Sequence, residues 1–381
     1  MNAMRWIRVL TLGGVALLAG CLGAESVDCP GGVVCPRETT CASAPVYCAR
    51  VEQVAACDGK NLGDFERCDF GKNEAGEVIP GACRGGACFQ CTTELAGCAS
   101  PGWTSMVAPT TSATLKDIWV ADRAAAFAVG TNTVLRYDGF AWIAEMAPQD
   151  DLISVWGSDL QTVYAASNVG SIYKRAEDGT WAVVHSSGGR SLTALGGSGP
   201  DDVIAISSDG AIFRFNGANW SMPPTQIPGF PALYAIWSRS RDDAYIVGSN
   251  TILHSSGSQW VPMTGTPSTT LRSVVATPTA AFAIGVGIGS MMQVYTLDAV
   301  GTWTSIVVPG IPAQQFNGIW ASDGAEVHAV GQGGTIIRRD QAGWHQVTSP
   351  TGLDLNAVDG SDPGNVFAAG IQGTILRYTG D

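Results

Sequence analysis

Leu152, Val155-Trp156-Gly157-Ser158, Tyr164-Ala165-Ala166, Ile172-Tyr173 and Gly179-Thr180-Trp181 punctuate one stretch of thirty residues. Apolar runs of strand length alternate there with Gly- and Asp-bearing turns, the signature of short antiparallel strands. The order is an apolar start, a Trp or a small residue four residues on, a turn, an aromatic-Ala-Val-Gly-like strand, a Gly-rich turn, another apolar strand, then Gly-x-x-Trp or a close variant of it. The same order recurs along residues 99–381. Copies begin at Leu115, Leu152, Leu192, Leu233, Leu271, Phe316 and Leu355, spaced 37, 40, 41, 38, 45 and 39 residues apart. A period near 40 with four short strands per unit is that of a propeller blade.

The first copy contains Trp119, Phe127-Ala128-Val129-Gly130 and Gly139-Phe140-Ala141-Trp142, and the fourth contains Trp237, Tyr245-Ile246-Val247-Gly248 and Gly257-Ser258-Gln259-Trp260. The seventh lacks its terminal Trp strand, and a spare one precedes the first copy at Gly102-Trp103-Thr104-Ser105-Met106-Val107. Pairing the two closes the ring and removes open edges that would template aggregation. The fold class expected is all-β: a seven-bladed β-propeller preceded by a small disulfide-rich module and a lipoprotein signal peptide. Residues 273–297 carry no charge, but the repeat maps them onto two blade strands rather than a membrane span.

The repeats resemble those of the sialidase-like and photosystem II assembly-factor propellers, in units such as Val155-Trp156-Gly157-Ser158, Gly334-Thr335-Ile336-Ile337-Arg338 and Gly373-Thr374-Ile375-Leu376-Arg377-Tyr378. Similar repeats occur in exported bacterial lipoproteins. The resemblance implies the propeller fold and no specific activity. The strict sialidase box is matched only in part, at Glu177-Asp178-Gly179-Thr180-Trp181, and the basic patch by which the assembly factors bind is not matched by this acidic chain.

Composition agrees with this architecture. The chain of 381 residues is 45% hydrophobic and only 14% charged, which excludes intrinsic disorder. A formal net charge of −12 argues against a nucleic-acid partner, since phosphate binding needs clustered Lys and Arg.

All 11 cysteines lie between Cys21 and Cys98. Residues 1–20 read as a secretory signal, with Arg5 and Arg8 before an apolar run from Val9 to Leu18 that is too short to span a bilayer. Leu18-Ala19-Gly20-Cys21 has the form of a bacterial lipobox, so Cys21 is expected to carry acyl chains such as palmitate. Multiple chains give stable anchoring. Leu22 follows, with no Asp, which by resemblance to enteric lipoproteins favours the outer membrane. Cleavage removes Arg5 and Arg8 and takes the net charge from −12 to −14. Residues 21–28 form a lipidated tether and residues 29–98 a cysteine-rich module. Its ten cysteines, Cys29, Cys35, Cys41, Cys48, Cys57, Cys68, Cys83, Cys88, Cys91 and Cys98, are expected to form up to five disulfides, with connectivity open. A zinc site at Cys88-Phe89-Gln90-Cys91 is the competing reading, but it would want a second ligand pair and a reducing compartment.

The sequence holds no Gly-x-Ser-x-Gly elbow, no His-Glu-x-x-His and no phosphate-binding Gly-x4-Gly-Lys. His185, His254, His328 and His345 fall in different repeats, and His328 occupies a core aromatic position of its repeat. No metal and no cofactor is expected. Of the 22 acids in residues 99–381, 14 fall in turns that propeller topology places on one face, among them Asp122, Asp138, Asp159, Asp178, Asp298, Asp340 and Asp362. Turn chemistry explains them better than Ca²⁺ binding, because no Asp-x-Asp-x-Asp-Gly loop exists. The opposite, loop-rich face is the candidate binding face, carrying Arg190, Met222, Ile227, Phe230, Met291 and Met292, residue types suited to protein recognition.

The expected function is binding or scaffolding by a monomeric, membrane-tethered lipoprotein that engages an envelope or extracellular protein or glycan. The alternative is an exported propeller hydrolase or lyase acting on glycans. That chemistry would need two carboxylates about 5–10 Å apart at an open groove.

Overall fold

The computed structural model describes residues 27–29, 33–35, 39–42, 47–50, 67–72, 78–84 and 87–90, and then residues 102–380. The second span has gaps at 110–111, 224–228, 230, 256, 258, 264, 266–267, 287–291, 299–300, 307, 309–314 and 323–325. Residues 1–26, and with them the signal and Cys21, lie outside the described residues, as do Cys57, Cys91 and Cys98. The chain divides into two compact units, Met1–Gln90 and Cys91–Asp381.

In the first unit, Arg67–Lys72, Val78–Arg84 and Ala87–Gln90 form a three-stranded sheet. Its buried centre is sulfur rather than hydrocarbon: Cys68 is bonded to Cys88, with Cys83 and Phe70 packed alongside. Cys83 is itself disulfide-bonded. Val27–Cys29 pairs with Val33–Cys35, and Thr39–Ala42 pairs with Tyr47–Arg50. With so few apolar side chains to bury, crosslinks take over part of the work of a core.

The second unit is a seven-bladed β-propeller, each blade a four-stranded antiparallel meander. The first strands are Leu115–Asp122, Leu152–Asp159, Leu192–Gly199, Leu233–Ser240, Thr270–Ala276, Phe316–Ala321 and Leu355–Asp362. Second strands such as Ala125–Gly130, Thr162–Ser167 and Asn365–Gly370 are buried at every residue, as strands covered on both faces must be. The charge-free stretch 273–297 falls on the blade 5 strands Thr270–Ala276, Ala281–Val286 and Met292–Leu297. Among the described residues no helix is long and apolar enough to cross a membrane.

Blade 7 takes its outermost strand from Trp103–Met106, which pairs antiparallel with Ile375–Tyr378. The seven first strands run side by side around a central channel, with a cavity of about 420 Å³ lined by all of them.

Two repeated contacts join neighbouring blades. A Trp four residues into one first strand lies against a Gly five residues into the next. A Cβ on Gly157 would sit 2.6–2.9 Å from the Trp119 ring, one on Gly197 2.7 Å from Trp156, and one on Gly360 3.0 Å from Trp320. The absence of a side chain is what lets the indole in. The second contact is polar. Ser154 accepts the Leu195 N–H at 3.0 Å and Ser273 accepts the Ile319 N–H at 3.4 Å. The Asn317 and Asn356 amides donate to the Leu355 and Leu115 carbonyls at 2.8 and 2.7 Å.

Candidate functional site

A first strand enters the ring at the loop-rich face and leaves at the acidic one. The residue after each strand's apolar start therefore stands at the loop-rich mouth of the channel: Lys116, Ile153, Thr193, Tyr234, Arg272, Asn317 and Asn356. Lys116 pairs with Asp151 at 2.5 Å, and Arg272 donates to the Gln315 amide oxygen at 2.7 and 2.9 Å. Asp150, just outside in the same inter-blade loop, accepts from the Tyr173 hydroxyl at 2.7 Å, and that bond holds its carboxyl below the usual range. This mouth is polar and of mixed charge.

The candidate binding residues are placed as follows. Arg190, between blades 2 and 3, pairs with Asp209 in the adjoining turn of the same face. Met222, between blades 3 and 4, is 57% exposed. Met292 lies in strand Met292–Leu297 opposite Val286. Ile227, Phe230 and Met291 lie outside the described residues.

On the opposite face the acids act as turn caps. Asp122 accepts the Ala124 N–H, Asp159 that of Gln161, Asp178 that of Thr180, Asp340 that of Ala342 and Asp362 that of Gly364, each at 2.7–3.0 Å. Others are neutralised by arginines of the blades' third strands. Glu145 binds Arg136 and Arg175, Asp202 binds Arg214, and Glu326 binds Arg338. The Arg of Gly-Thr-Ile-Leu-Arg is structural too. Arg377 is 1% exposed, bonded to the Tyr137 hydroxyl at 3.1 Å and Asn365 at 2.9 Å, and packed over Phe367. His328 is fully buried among Trp103, Trp320 and Tyr378, with Nε2 2.9 Å from Glu326. Among the described residues no group of three or more His, Cys, Asp or Glu could hold a metal ion.

Sequence reasoning did not single out the two carboxyls inside the channel. Asp117 takes the position occupied by Ser154 and Ser273 in other blades. It accepts the Ile118 N–H at 2.9 Å, the Ser154 hydroxyl at 2.6 Å and the Val155 N–H at 2.9 Å. Asp359 takes the position of Trp119, Trp156, Trp237 and Trp320, and accepts the Val120 N–H of blade 1 at 2.7 Å. Burial pushes Asp117 up to about 6 and Asp359 up to about 7, and the Asp117 charge adds to the rise at Asp359. The signal was available, since Asp359 is the one charged residue among the seven positions four on from an apolar start. Both carboxyls hold backbone amides of the next blade, so they work as inter-blade straps.

A closed seven-bladed propeller with a polar-mouthed channel and long loops on one face defines a class of protein known for very different tasks. No family model matches the chain. The solved structure of YCF48 bound to D1 peptide is similar at a TM-score of 0.60 and 20% identity, over 74% of this chain and 98% of that one. A streptogramin B lyase structure is similar at a TM-score of 0.62 and 12% identity, over 72% and 96% of the two chains. These likenesses show the fold. Among curated proteins, immune protein Tsi7 of Pseudomonas aeruginosa is 31% identical over 117 residues, which is 29% of this chain and 37% of that protein's length.

Proposed function

We propose that this chain is an exported, lipid-anchored binding protein that presents the loop-rich face of its propeller to a protein of the cell envelope. The observation that carries the reading is convergence. Six of the seven first strands deliver a polar side chain, Lys116, Thr193, Tyr234, Arg272, Asn317 or Asn356, to one mouth, and the inter-blade loops around it expose Met222 at 57% and Met146 at 82%. Polar groups that fix orientation beside exposed, adaptable methionine are the ingredients of a recognition surface. The blades behind them are held by hydrogen bonds between adjacent first strands, so the surface is presented with little ordering cost on binding. The peptide bound to YCF48 supports a recognition role for the same fold here. The lipobox at Leu18-Ala19-Gly20-Cys21 supports the anchor, and an outer-membrane address follows from Leu22.

The test is site-specific photocrosslinking in the native envelope. A crosslinker at Met222 is expected to give discrete protein adducts. One at Leu160, exposed on the opposite face, is expected to give none, and Cys21→Ser is expected to release the chain from membranes and reduce the Met222 adducts. Equal labelling from both faces, or none from Met222, overturns the reading.

A further inference from the structure

The seam between blades 7 and 1 differs from the other blade junctions. At three of the other six junctions an indole lies on a glycine, as Trp119 does on Gly157, Trp156 on Gly197 and Trp320 on Gly360, and at none of the six is the indole position charged. At the seam the indole position holds Asp359 and the glycine position holds Val120, and the contact is a carboxyl accepting a backbone N–H at 2.7 Å. One strand away, in the same wall of the channel, Asp117 straps blade 1 to blade 2. The molecule closes on itself here, since blade 7 is completed by Trp103–Met106 from ahead of blade 1.

Lys116 and Arg272 line the same channel, Arg272 donating to the Gln315 amide oxygen, and among the described residues no basic side chain forms an ion pair with either carboxyl. Every other charged group on the strands packed against the pair has its own partner. Lys116 pairs with Asp151, Asp362 with Arg123 at 2.8 Å, and His328 with Glu326. Asp122 and Asp159 cap the Ala124 and Gln161 amides, and Arg377 is bound to Tyr137 and Asn365.

We propose that the blade 7–blade 1 seam is a proton-operated latch: it is tight while Asp117 and Asp359 are each protonated, and it loosens when both ionise. Two half-buried carboxylates in one channel wall repel each other and lose part of the hydration that the neutral form does not need. The sign follows from the raised values. A carboxyl with a native pKa above its unfolded value of 3.8 contributes stability that is full below 3.8 and lost as pH rises through the native value, here about 6 for Asp117 and about 7 for Asp359. Between pH 5 and 8 linkage then weakens closure about tenfold through Asp117 and about a hundredfold through Asp359. Acids held below their usual range, such as Asp150, Asp202 and Asp362, titrate beneath this window. His185, pushed down by burial, acts in the opposite direction, losing stability as pH falls.

The experiment is amide hydrogen exchange on the full chain at pH 5.5 and 8, corrected for intrinsic rates. Val120, held by Asp359, is expected to lose tenfold to a hundredfold in protection at pH 8. Ile319, held by the Ser273 hydroxyl between blades 5 and 6, is expected to keep its protection. Asp359→Asn, which retains an acceptor for Val120, is expected to flatten the response at Val120. Equal responses at Val120 and Ile319, no response at Val120, or a response that persists in a folded D117N/D359N double variant overturns the latch. Should the variants not fold, the two amides of the unsubstituted protein decide the question alone.

Discussion

Trp119 and Gly157 show how single residues set the blade interface. The indole occupies the space a side chain at 157 would need, with ring atoms 2.6–2.9 Å from the position of a Cβ. Gly157→Ala is therefore expected to force Trp119 off its site and to destabilise by about 1–3 kcal/mol, the usual penalty of overpacking. Gly352, where an added Cβ meets nothing within 4 Å, is the matched control. Gly352→Ala is expected to stay within about 0.5 kcal/mol of the unsubstituted protein in urea titration. Equal effects at the two sites would remove the indole-on-glycine account. Much at this scale was legible in the sequence. The Asp residues of the acidic turns read as caps because a carboxyl oxygen reaches the N–H two residues on, and Asp122, Asp159 and Asp340 do so. Asp359 was not legible by the same route. Alignment of repeats describes a position by its commonest occupant, and the exception is physically meaningful only once Val120, 239 residues away in sequence, is seen to meet it.

The strand Trp103–Met106 carries the argument at the level of elements. Its indole is 9% exposed and packs at 5.5 Å from both Tyr378 and His328, while Met106 reaches the core shared with blade 1. Trp103→Ala deletes that anchor and is expected to cost about 3–5 kcal/mol, seen as a lower melting temperature. Val107→Ala, one residue beyond the strand at a side chain 71% exposed, is expected to leave melting unchanged. A melting temperature unmoved by Trp103→Ala would mean that the strand pairs without locking the ring. Element starts were readable because every blade must bury the same face, so Leu115, Leu152, Leu192, Leu233, Phe316 and Leu355 each open a strand. Edges were less readable. Trp181–Ser186 of blade 2 is uncharged and exposes Val183 and Val184, which in sequence looks like a template for strand addition. A register shift against Ile172 and Tyr173 puts a bulge at Val184, and bulges blunt edges. That device depends on pairing geometry and has no residue signature of its own.

For the molecule as a whole, cysteine and hydrocarbon divide the work of stabilisation. All 11 cysteines precede residue 99, and the propeller holds itself together with apolar cores between neighbouring blades, such as that of Leu115, Trp142 and Phe367 and that of Tyr245, Leu271 and Trp303. The first unit has no comparable apolar cluster among its described residues, and its sheet is crosslinked by Cys68–Cys88, twenty residues apart. Removing a native disulfide from a small exported domain typically costs about 2–5 kcal/mol, comparable to all the stability such a unit has. The propeller gains nothing from oxidation and should lose nothing on reduction. The expected outcome of calorimetry with and without a thiol reductant is therefore selective. The transition of the cysteine-rich unit disappears on reduction, and that of the propeller keeps its midpoint and enthalpy. Limited proteolysis of the reduced protein is expected to cut before Gly102 and spare residues 103–381. A propeller transition that moved with the reductant would show that the ring draws stability from the crosslinked unit, and the division of labour read from the cysteine positions would fall.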